Sequence, residues 1–284
     1  MGYRLNLAQI AFLLDHFYSG NSLRNTSRLF RTLFQIPISP PTILRRMQEW
    51  VEKVDYALSL AIENKETGFV FSFGDIWEID EMYIKQGRKY LALMIVRDLK
   101  TGFDLGVNII EAHPDPDRRK PSITSDEVAV ALENAKNTAH KNPMELRCDG
   151  LQSYENAVEK VFGHDTVLSI RTRVEGRGQN QSIEGHNGVL RSRLKAMRSL
   201  HGKESSITVL KGLIINYNFV SPSPALSDRT PAKVALGKTT IDRRYTWQTL
   251  LELAKAHEPK LEKKLKPEIK PELRKMTLDM YIPS

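Results

Sequence analysis

The feature that most limits the fold of this chain is an unbroken apolar run near residue 90. Residues 89–97 (KYLALMIVR) place six consecutive apolar side chains between Tyr90 and Arg97. Successive side chains of a strand point to opposite faces, so such a strand is apolar on both of its faces. The run therefore predicts a strand buried on both faces, in a sheet that other elements cover.

Two further strands lie beside this run in the sequence. Residues 75–85 (DIWEIDEMYIK) alternate around a central Ile79 and Asp80, and residues 103–110 (FDLGVNII) follow a turn at 100–102. Three consecutive strands with short connections predict an antiparallel meander.

Helices then alternate with short strands. The predicted helices cover about 124–140, 154–162 and 181–198, and the predicted strands cover 144–148 and 167–170. The order βββαβαβα is that of the ribonuclease H fold. The predicted fold class is therefore α/β, with a mixed five-stranded sheet flanked by helices.

The N-terminal region contains predicted helices only, at 7–18, 23–34 and 42–54. A polar turn separates the first two, and residues 1–54 carry seven basic against three acidic residues. This pattern favours a helix-turn-helix DNA-binding domain, although a three-helix bundle with a solvated basic face would look similar. The candidate DNA contacts are Arg24, Arg28, Arg45 and Arg46.

The chain divides into four predicted regions. They are a helix-turn-helix domain at 1–54, a partly helical connector at 55–74, a ribonuclease H-like core at 75–220, and a C-terminal region at 221–284. Within the last two, helices are predicted at 205–219 and 245–257, followed by a basic tail.

Charge and cysteine content narrow the class of protein. There are 42 Lys and Arg against 34 Asp and Glu, a formal net charge of +8, which favours a polyanionic partner but also fits a solvated basic surface. The single cysteine, Cys148, excludes an intramolecular disulfide and a Cys-based zinc site, and we expect it to be a buried strand residue.

No run approaches the ~18 apolar residues of a membrane span. We therefore expect a cytoplasmic, nucleoid-associated protein with no membrane partner.

Three carboxylates occupy special places in this predicted fold. Asp80 lies inside the first strand, Asp149 directly follows the strand at 144–148, and Glu184 lies in the first turn of the long helix. The fold would bring these three places to one edge of the sheet. Each acid alone has a plain explanation: a solvated strand residue, a turn, or a partner of the helix dipole.

Together, the three acids predict a metal site. Carboxylate oxygens suit Mg²⁺ or Mn²⁺, and two such ions can activate a water and stabilise a leaving 3′ oxygen. We assign the bridging role to Asp80, because a central strand is the most rigid position.

A basic stripe follows the third acid along its helix. Glu184, Arg191, Lys195 and Arg198 recur at steps of seven, four and three residues, which places them on one helical face. DNA phosphates could lie along this stripe, although a solvated face would show the same pattern.

Several segments resemble the DDE-type insertion-sequence transposases of bacteria and archaea. They are WEIDEMYIK around Asp80, CDGLQSYENAVEKVFG around Asp149, NQSIEGHNGVLRSRLKAMRSL around Glu184, and the later YNFV and RTPAKVALGK. The 34 residues between Asp149 and Glu184 match the D-34-E pattern of these enzymes.

This resemblance implies a DNA transposase that acts at the terminal inverted repeats of its own element. It implies two Mg²⁺ or Mn²⁺ ions held by Asp80, Asp149 and Glu184, duplex DNA as partner and target, and a homodimer or larger transpososome. Relatives often have a histidine three residues after the glutamate, where this chain has Asn187 beside His186. We expect His186 to contact a DNA phosphate or to lie at the surface.

Two other functions are compatible with these patterns. One is a domesticated or non-catalytic helix-turn-helix DNA-binding protein whose ribonuclease H-like part serves for oligomerisation. The other is a nuclease of the same fold that acts on RNA or on four-way junctions.

Overall fold

The computed structural model describes residues 4–63, 70–86, 89–113, 122–150, 152–170, 181–196, 202–236 and 245–265. Arg198 and the predicted basic tail beyond residue 265 lie outside these residues. None of the helices among these residues combines the length and the hydropathy that a membrane span requires.

One mixed sheet forms the centre of the described structure. Its strands are β1 (Ile76–Gln86), β2 (Lys89–Asp98), β3 (Asp104–Glu111), β4 (Glu145–Cys148) and β5 (Val167–Ile170). The spatial order is β3-β2-β1-β4-β5. Strands β1, β2 and β3 pair antiparallel, whereas β4 pairs parallel with both β1 and β5. Strand β2 is buried from Leu91 to Asp98, as its apolar sequence predicts.

Three helices accompany the strands in the predicted order. They are α4 (Ser125–Ala139), α5 (Gln152–Phe162) and α6 (Gln181–Ala196). Helix α4 begins with the Thr124–Glu127 capping box and packs on β3. The approach is close at Gly106 of β3, where an added Cβ would lie 2.1 Å from the Ala131 carbonyl oxygen. This element order and strand pairing confirm the predicted ribonuclease H-like fold.

The N-terminal region forms α1 (Leu7–Tyr18), α2 (Leu23–Phe34) and α3 (Pro40–Glu63). Helix α3 is nine residues longer at its C-terminal end than the predicted 42–54. Its apolar face continues through Ala57 and Leu58, which are buried, and α3 packs against two helices of the C-terminal half. The helix is thus continuous across the predicted domain boundary at residue 54.

The C-terminal half of the described chain contributes α7 (Lys203–Ile215), α8 (Pro231–Leu236) and α9 (Trp247–Leu265). The helix predicted for 205–219 changes after Ile215 into a π-helical turn, Asn216–Val220, closed by the Ser221 N–H bonding to the Asn216 carbonyl at 2.7 Å.

Helix α9 joins the N-terminal helices to the core. It packs against α1 and α3. The Trp247 ring stacks on Tyr18 at 5.3 Å, and its Nε1–H donates to Asn216 Oδ1 at 3.0 Å. The Tyr18 ring also lies on the backbone of α7 at Gly212, so one hydrophobic core runs from the N-terminal helices to the sheet.

Candidate active site

The register between β1 and β4 explains why two of the predicted acids meet. Glu78 of β1 pairs with Arg147 of β4, and the two strands are parallel. Two residues further along each strand come Asp80 and Asp149, which therefore reach the same level of the sheet. Asp149 lies just beyond the end of β4, where the backbone turns at Gly150 with a φ of 89°.

A compact group of carboxylates results. Ligand oxygens of Asp80, Glu81 and Asp149 all lie within 4.8 Å of one another. Asp80 and Glu81 are half-buried, whereas Asp149 is exposed. Asp80 Oδ1 accepts a hydrogen bond from the Glu81 N–H at 3.0 Å, and the Tyr154 hydroxyl of α5 donates to Glu81 Oε2.

Glu81 is not among the three acids that the sequence pattern predicts for the site. Neighbouring side chains of a regular strand point to opposite faces, so an acid beside Asp80 is expected to turn away from it. Its partner is Tyr154, which is fully buried on α5, 73 residues later in the chain. Only the pairing of distant elements reveals this contact, and the local pattern carries no signal for it.

Crowding of these acids changes their protonation. Burial, reinforced by the charge of Asp149, raises the pKa of Asp80 to about 6, although a hydrogen bond from Asn187 opposes the increase. Burial also raises the pKa of Glu81 to about 7, with Asp149 and Asp80 adding to it and the Tyr154 bond opposing it. Carboxylates in such a group repel one another when ionised, and a cation removes that cost.

Helix α6 lies along β1 beside this group. Asn187 is buried and its Nδ2–H donates to Asp80 Oδ2 at 2.6 Å. Arg191, one turn further on, is exposed and acts electrostatically on Asp80. Glu184 is exposed, one turn before Asn187 on the same side of the helix. The structure thus brings Asp80 and Asp149 together, and among the described residues the compact group contains Glu81 rather than Glu184.

The donor chemistry of the group fits a hard divalent cation. All of its donors are carboxylate oxygens, which Mg²⁺ and Mn²⁺ prefer to nitrogen or sulfur. The one neighbouring cysteine, Cys148, is buried as predicted, and burial raises the pKa of its thiol to about 11. A neutral thiol is a poor ligand, so the oxygen donors define the site.

The expectation that His186 contacts DNA or lies at the surface is wrong. The residue is 3% exposed, its Nε2 lies 2.9 Å from Asp104 Oδ2, and its ring packs on Tyr217 at 4.1 Å. A sequence signal for this burial exists: His186 and Asn187 follow Ile183 by three and four residues, and Ile183 is part of the apolar face of α6.

The predicted DNA contacts lie in two places. In the N-terminal helices Arg24, Arg28 and Arg45 are exposed, whereas Arg46 is half-buried and pairs with Glu49 at 3.0 Å. On α6, Arg191 and Lys195 are exposed. The remaining predicted contact, Arg198, lies outside the described residues.

Comparison with known proteins agrees with this picture. A family model described as a DDE domain, of the IS240 transposase type, matches residues 74–219. This segment spans β1 to the π-helical turn and includes every residue of the acidic group. No curated protein matches the chain.

Solved structures of retroviral integrases are similar to the chain at low identity. The human T-lymphotropic virus 2 (HTLV-2) integrase catalytic core domain in complex with magnesium is 17% identical, with a TM-score of 0.41, covering 58% of this chain and 99% of that one. The integrase chain of the simian T-cell lymphotropic virus intasome, in complex with PP2A regulatory subunit B56 gamma, is 13% identical, with a TM-score of 0.42, covering 82% and 77%. The BIV integrase catalytic core is 13% identical, with a TM-score of 0.38, covering 57% and 94%.

The DDE domain match covers half of the chain and coincides with the ribonuclease H-like sheet and its acidic edge. The chain belongs to the DDE-type insertion-sequence transposases, a family of polynucleotidyl transferases that act on DNA.

Proposed function

We propose that this transposase cleaves and rejoins phosphodiester bonds at the terminal inverted repeats of its own insertion sequence. The observation that carries the proposal is the meeting of Asp80 and Asp149 at the end of β4, with α6 and Glu184 alongside. Asp80, Asp149 and Glu184 are the proposed catalytic residues and metal ligands, and Glu81 is an additional candidate donor.

Two Mg²⁺ or Mn²⁺ ions, when bound, would supply Lewis acidity for the attacking water or 3′ hydroxyl and for the leaving oxygen. Neighbouring side chains hold the carboxylates that would bind these ions. Asp80 is the proposed bridging carboxylate, and the Asn187 amide fixes its Oδ2. The Tyr154 hydroxyl of α5 holds Glu81. These contacts orient the carboxylates before DNA arrives, which lowers the cost of assembling the site.

The exposed basic face of α6 is the proposed path of the DNA backbone. Arg191 lies close enough to Asp80 to influence its charge, and Lys195 follows one turn later. Phosphate contacts of this kind set the position of the duplex and are independent of its sequence. The stripe therefore delivers the scissile phosphate to the carboxylates.

We propose that the N-terminal helices bind the terminal repeat sequence-specifically. Arg45 projects from the first turns of α3 into solvent, and Arg24 and Arg28 do so from α2. In a helix-turn-helix the second helix enters the major groove and supplies base contacts. We propose residues 1–54 for this role, with 55–74 as connector, 75–220 as catalytic core and 221–284 as C-terminal region.

Assembly and location follow from the proposed substrate. An element has two ends, so a homodimer or a larger transpososome would hold both of them, together with target DNA. Because that DNA is the chromosome or plasmid, we place the protein at the nucleoid in the cytoplasm.

A cleavage assay on labelled repeat ends tests the proposal. With Mn²⁺ or Mg²⁺, the wild-type protein should nick the ends and join them to target DNA, and Asp149→Asn should abolish both steps while leaving metal-free DNA binding nearly intact. The matched control is Asp165→Asn, which changes an exposed acid outside the acidic group.

Equal cleavage by the wild type and Asp149→Asn would dismiss the assigned site. Sequence-specific binding with no cleavage under any metal condition would instead favour the non-catalytic DNA-binding protein. Preference for RNA–DNA hybrids or four-way junctions over duplex ends would favour the nuclease.

A further inference from the structure

A buried ionic cluster lies beneath α6, next to the acidic group. Its members come from β1, β2, β3, α6 and the π-helical turn, and they are Glu78, Arg97, Asp104, His186 and Tyr217. The first four are at most 6% exposed. None of them belongs to the acidic group, yet Glu78 is two residues from Asp80 and His186 is two residues from Glu184.

The cluster joins two strands, β2 and β3, to the turn after α7. Arg97 donates from Nη1 to Asp104 Oδ1 at 3.3 Å and from Nη2 to the Tyr217 hydroxyl at 2.7 Å. The neighbouring Asn218 fixes the Asp104 backbone, accepting from its N–H at 2.9 Å and donating to its carbonyl at 3.1 Å. The YNFV segment of the sequence is thus hydrogen-bonded to both β2 and β3.

Helix α6 is attached to this cluster at two points. The Ser182 side chain and the Ile183 N–H, in the first turn of α6, interact with the Glu78 carboxyl and lower its pKa, against the larger effect of burial. One turn later, His186 Nε2 lies 2.9 Å from Asp104 Oδ2, and the His186 ring packs on Tyr217. Glu184 lies between these two attachments.

The cluster is not optimised for stability. Buried polar atoms without a hydrogen-bond partner in the described part of the chain include Glu78 Oε2, Arg97 Nε, Asp104 Oδ2 and both ring nitrogens of His186. The His186–Asp104 contact has the distance of an ion pair without the alignment of a hydrogen bond, and the His186 ring also packs on Tyr217. Buried ionic groups often stabilise no more than apolar side chains of similar size would, but they can fix one arrangement among several.

We propose that the buried ionic cluster is the positioning device of the active site. It sets the rotation of α6 and thereby the place of Glu184 relative to Asp80 and Asp149. Glu78, Asp104 and His186 are positioning residues, because they act through Glu184. The inference rests on the proposed function, since it assumes that Glu184 is a metal ligand.

A double-mutant cycle on Mn²⁺ binding tests this inference without any cleavage step. The full chain is titrated with Mn²⁺ in the absence of DNA, and free Mn²⁺ is measured by electron paramagnetic resonance. His186→Leu is expected to raise the Kd about tenfold, as loss of a residue that orients a ligand does. In a Glu184→Gln background the same substitution should change the Kd by less than about twofold, because the two positions act as one unit.

The matched control is Thr166→Val. It removes a buried hydroxyl that donates to the Pro143 carbonyl at 2.8 Å, just before β4 and β5 begin, whereas the acidic group lies where β4 ends. It should lower the Tm yet leave the Kd within about twofold of the wild type. If His186→Leu does not fold, Tyr217→Phe replaces it in the cycle. That variant keeps the ring on His186 and loses the bond to Arg97, with an expected Kd increase of about threefold.

An equal Kd increase in both backgrounds would overturn the inference, and so would an unchanged Kd in a folded cluster variant. Failure of the proposed function is a separate outcome, because it requires that Asp149→Asn binds Mn²⁺ as tightly as the wild type. If Asp149→Asn loses Mn²⁺ and His186→Leu does not, only the positioning role is lost.

Discussion

Asn187 Nδ2 lies 2.6 Å from Asp80 Oδ2, and this bond ties α6 to the middle of the central strand. The bond also lowers the pKa of Asp80, against the larger effects of burial and of Asp149. One amide thus holds the carboxylate in place and favours its ionised form, and both effects promote cation binding.

Removal of this amide should weaken the metal site. We expect Asn187→Ala to raise the Kd for Mn²⁺ by roughly tenfold at neutral pH. Asn187→His retains a ring N–H that can donate, so its Kd should lie between those of the wild type and the alanine variant. Calorimetric titration with Mn²⁺ measures the three values, and identical Kd values for all three would show that the bond is irrelevant to the site.

The raised pKa of Glu81 makes the metal-free protein sensitive to pH. A carboxyl whose pKa is near 7 when folded and 4.5 when unfolded holds its proton more tightly in the folded state. Its contribution to stability is therefore present at low pH and is lost as the pH rises through these two values. Glu81→Gln keeps the oxygen that accepts from Tyr154 and removes the charge.

We accordingly expect Glu81→Gln to have a higher Tm than the wild type at about pH 8 without metal, and a similar Tm at about pH 4. Mn²⁺ should reduce the difference at the higher pH, because it stabilises the charged wild-type group more than the amide. Thermal unfolding followed by circular dichroism measures both effects. A Tm deficit of the variant at the higher pH would contradict the assignment of the raised pKa.

Two glycines should respond to alanine in opposite directions. At Gly106 a Cβ would lie 2.1 Å from the Ala131 carbonyl oxygen and 2.6 Å from the Ala135 nitrogen, both backbone atoms of α4. We expect Gly106→Ala to destabilise the protein by about 3 kcal/mol, because the helix must move away from the sheet.

Gly188 is the counterpart within α6, where an added Cβ meets nothing within 4 Å. Gly188→Ala should stabilise the protein by about 0.5–1 kcal/mol through the lower backbone entropy of the unfolded chain. Urea denaturation of the three proteins gives these free energies. A Gly106→Ala protein with the same free energy of unfolding as the wild type would mean that α4 packs less closely on β3 than these distances indicate.

The basic residues should separate by role. Arg45→Ala should weaken binding to the terminal repeat more than binding to unrelated duplex. Arg191→Ala and Lys195→Ala should weaken binding to every duplex, each reducing the salt dependence by about one unit. Fluorescence anisotropy at several salt concentrations distinguishes the two classes, and a uniform effect of all three substitutions would contradict the division.

The sequence predicts the sheet well because its evidence is local. The apolar run of β2, the turn before β3 and the Thr124 capping box each act within a few residues, and each appears in the structure within a residue or two of its expected position. The meeting of Asp80 and Asp149 also follows from strand order, since β4 pairs parallel with β1.

The remaining features depend on distant contacts. Glu81 joins the acidic group through Tyr154, and the helix expected to continue to residue 219 becomes a π-helical turn in which Tyr217 and Asn218 bind β2 and β3. Helical spacing from Ile183 indicates that His186 is buried, whereas the basic stripe on the same helix favours a position at the surface. In a sequence, a polar side chain that is buried among polar partners looks the same as one at the surface. Only the contacts between distant elements distinguish the two.

The continuous core through Tyr18, Trp247 and Gly212 connects the N-terminal helices rigidly to the sheet that carries the acidic group. If the N-terminal helices bind the terminal repeat as we propose, this rigid connection fixes the distance between the bound base pairs and the phosphodiester at the carboxylates. Each end should then be cut at the same offset from the bound sequence, and one base pair added to that sequence should move a different phosphodiester into the site.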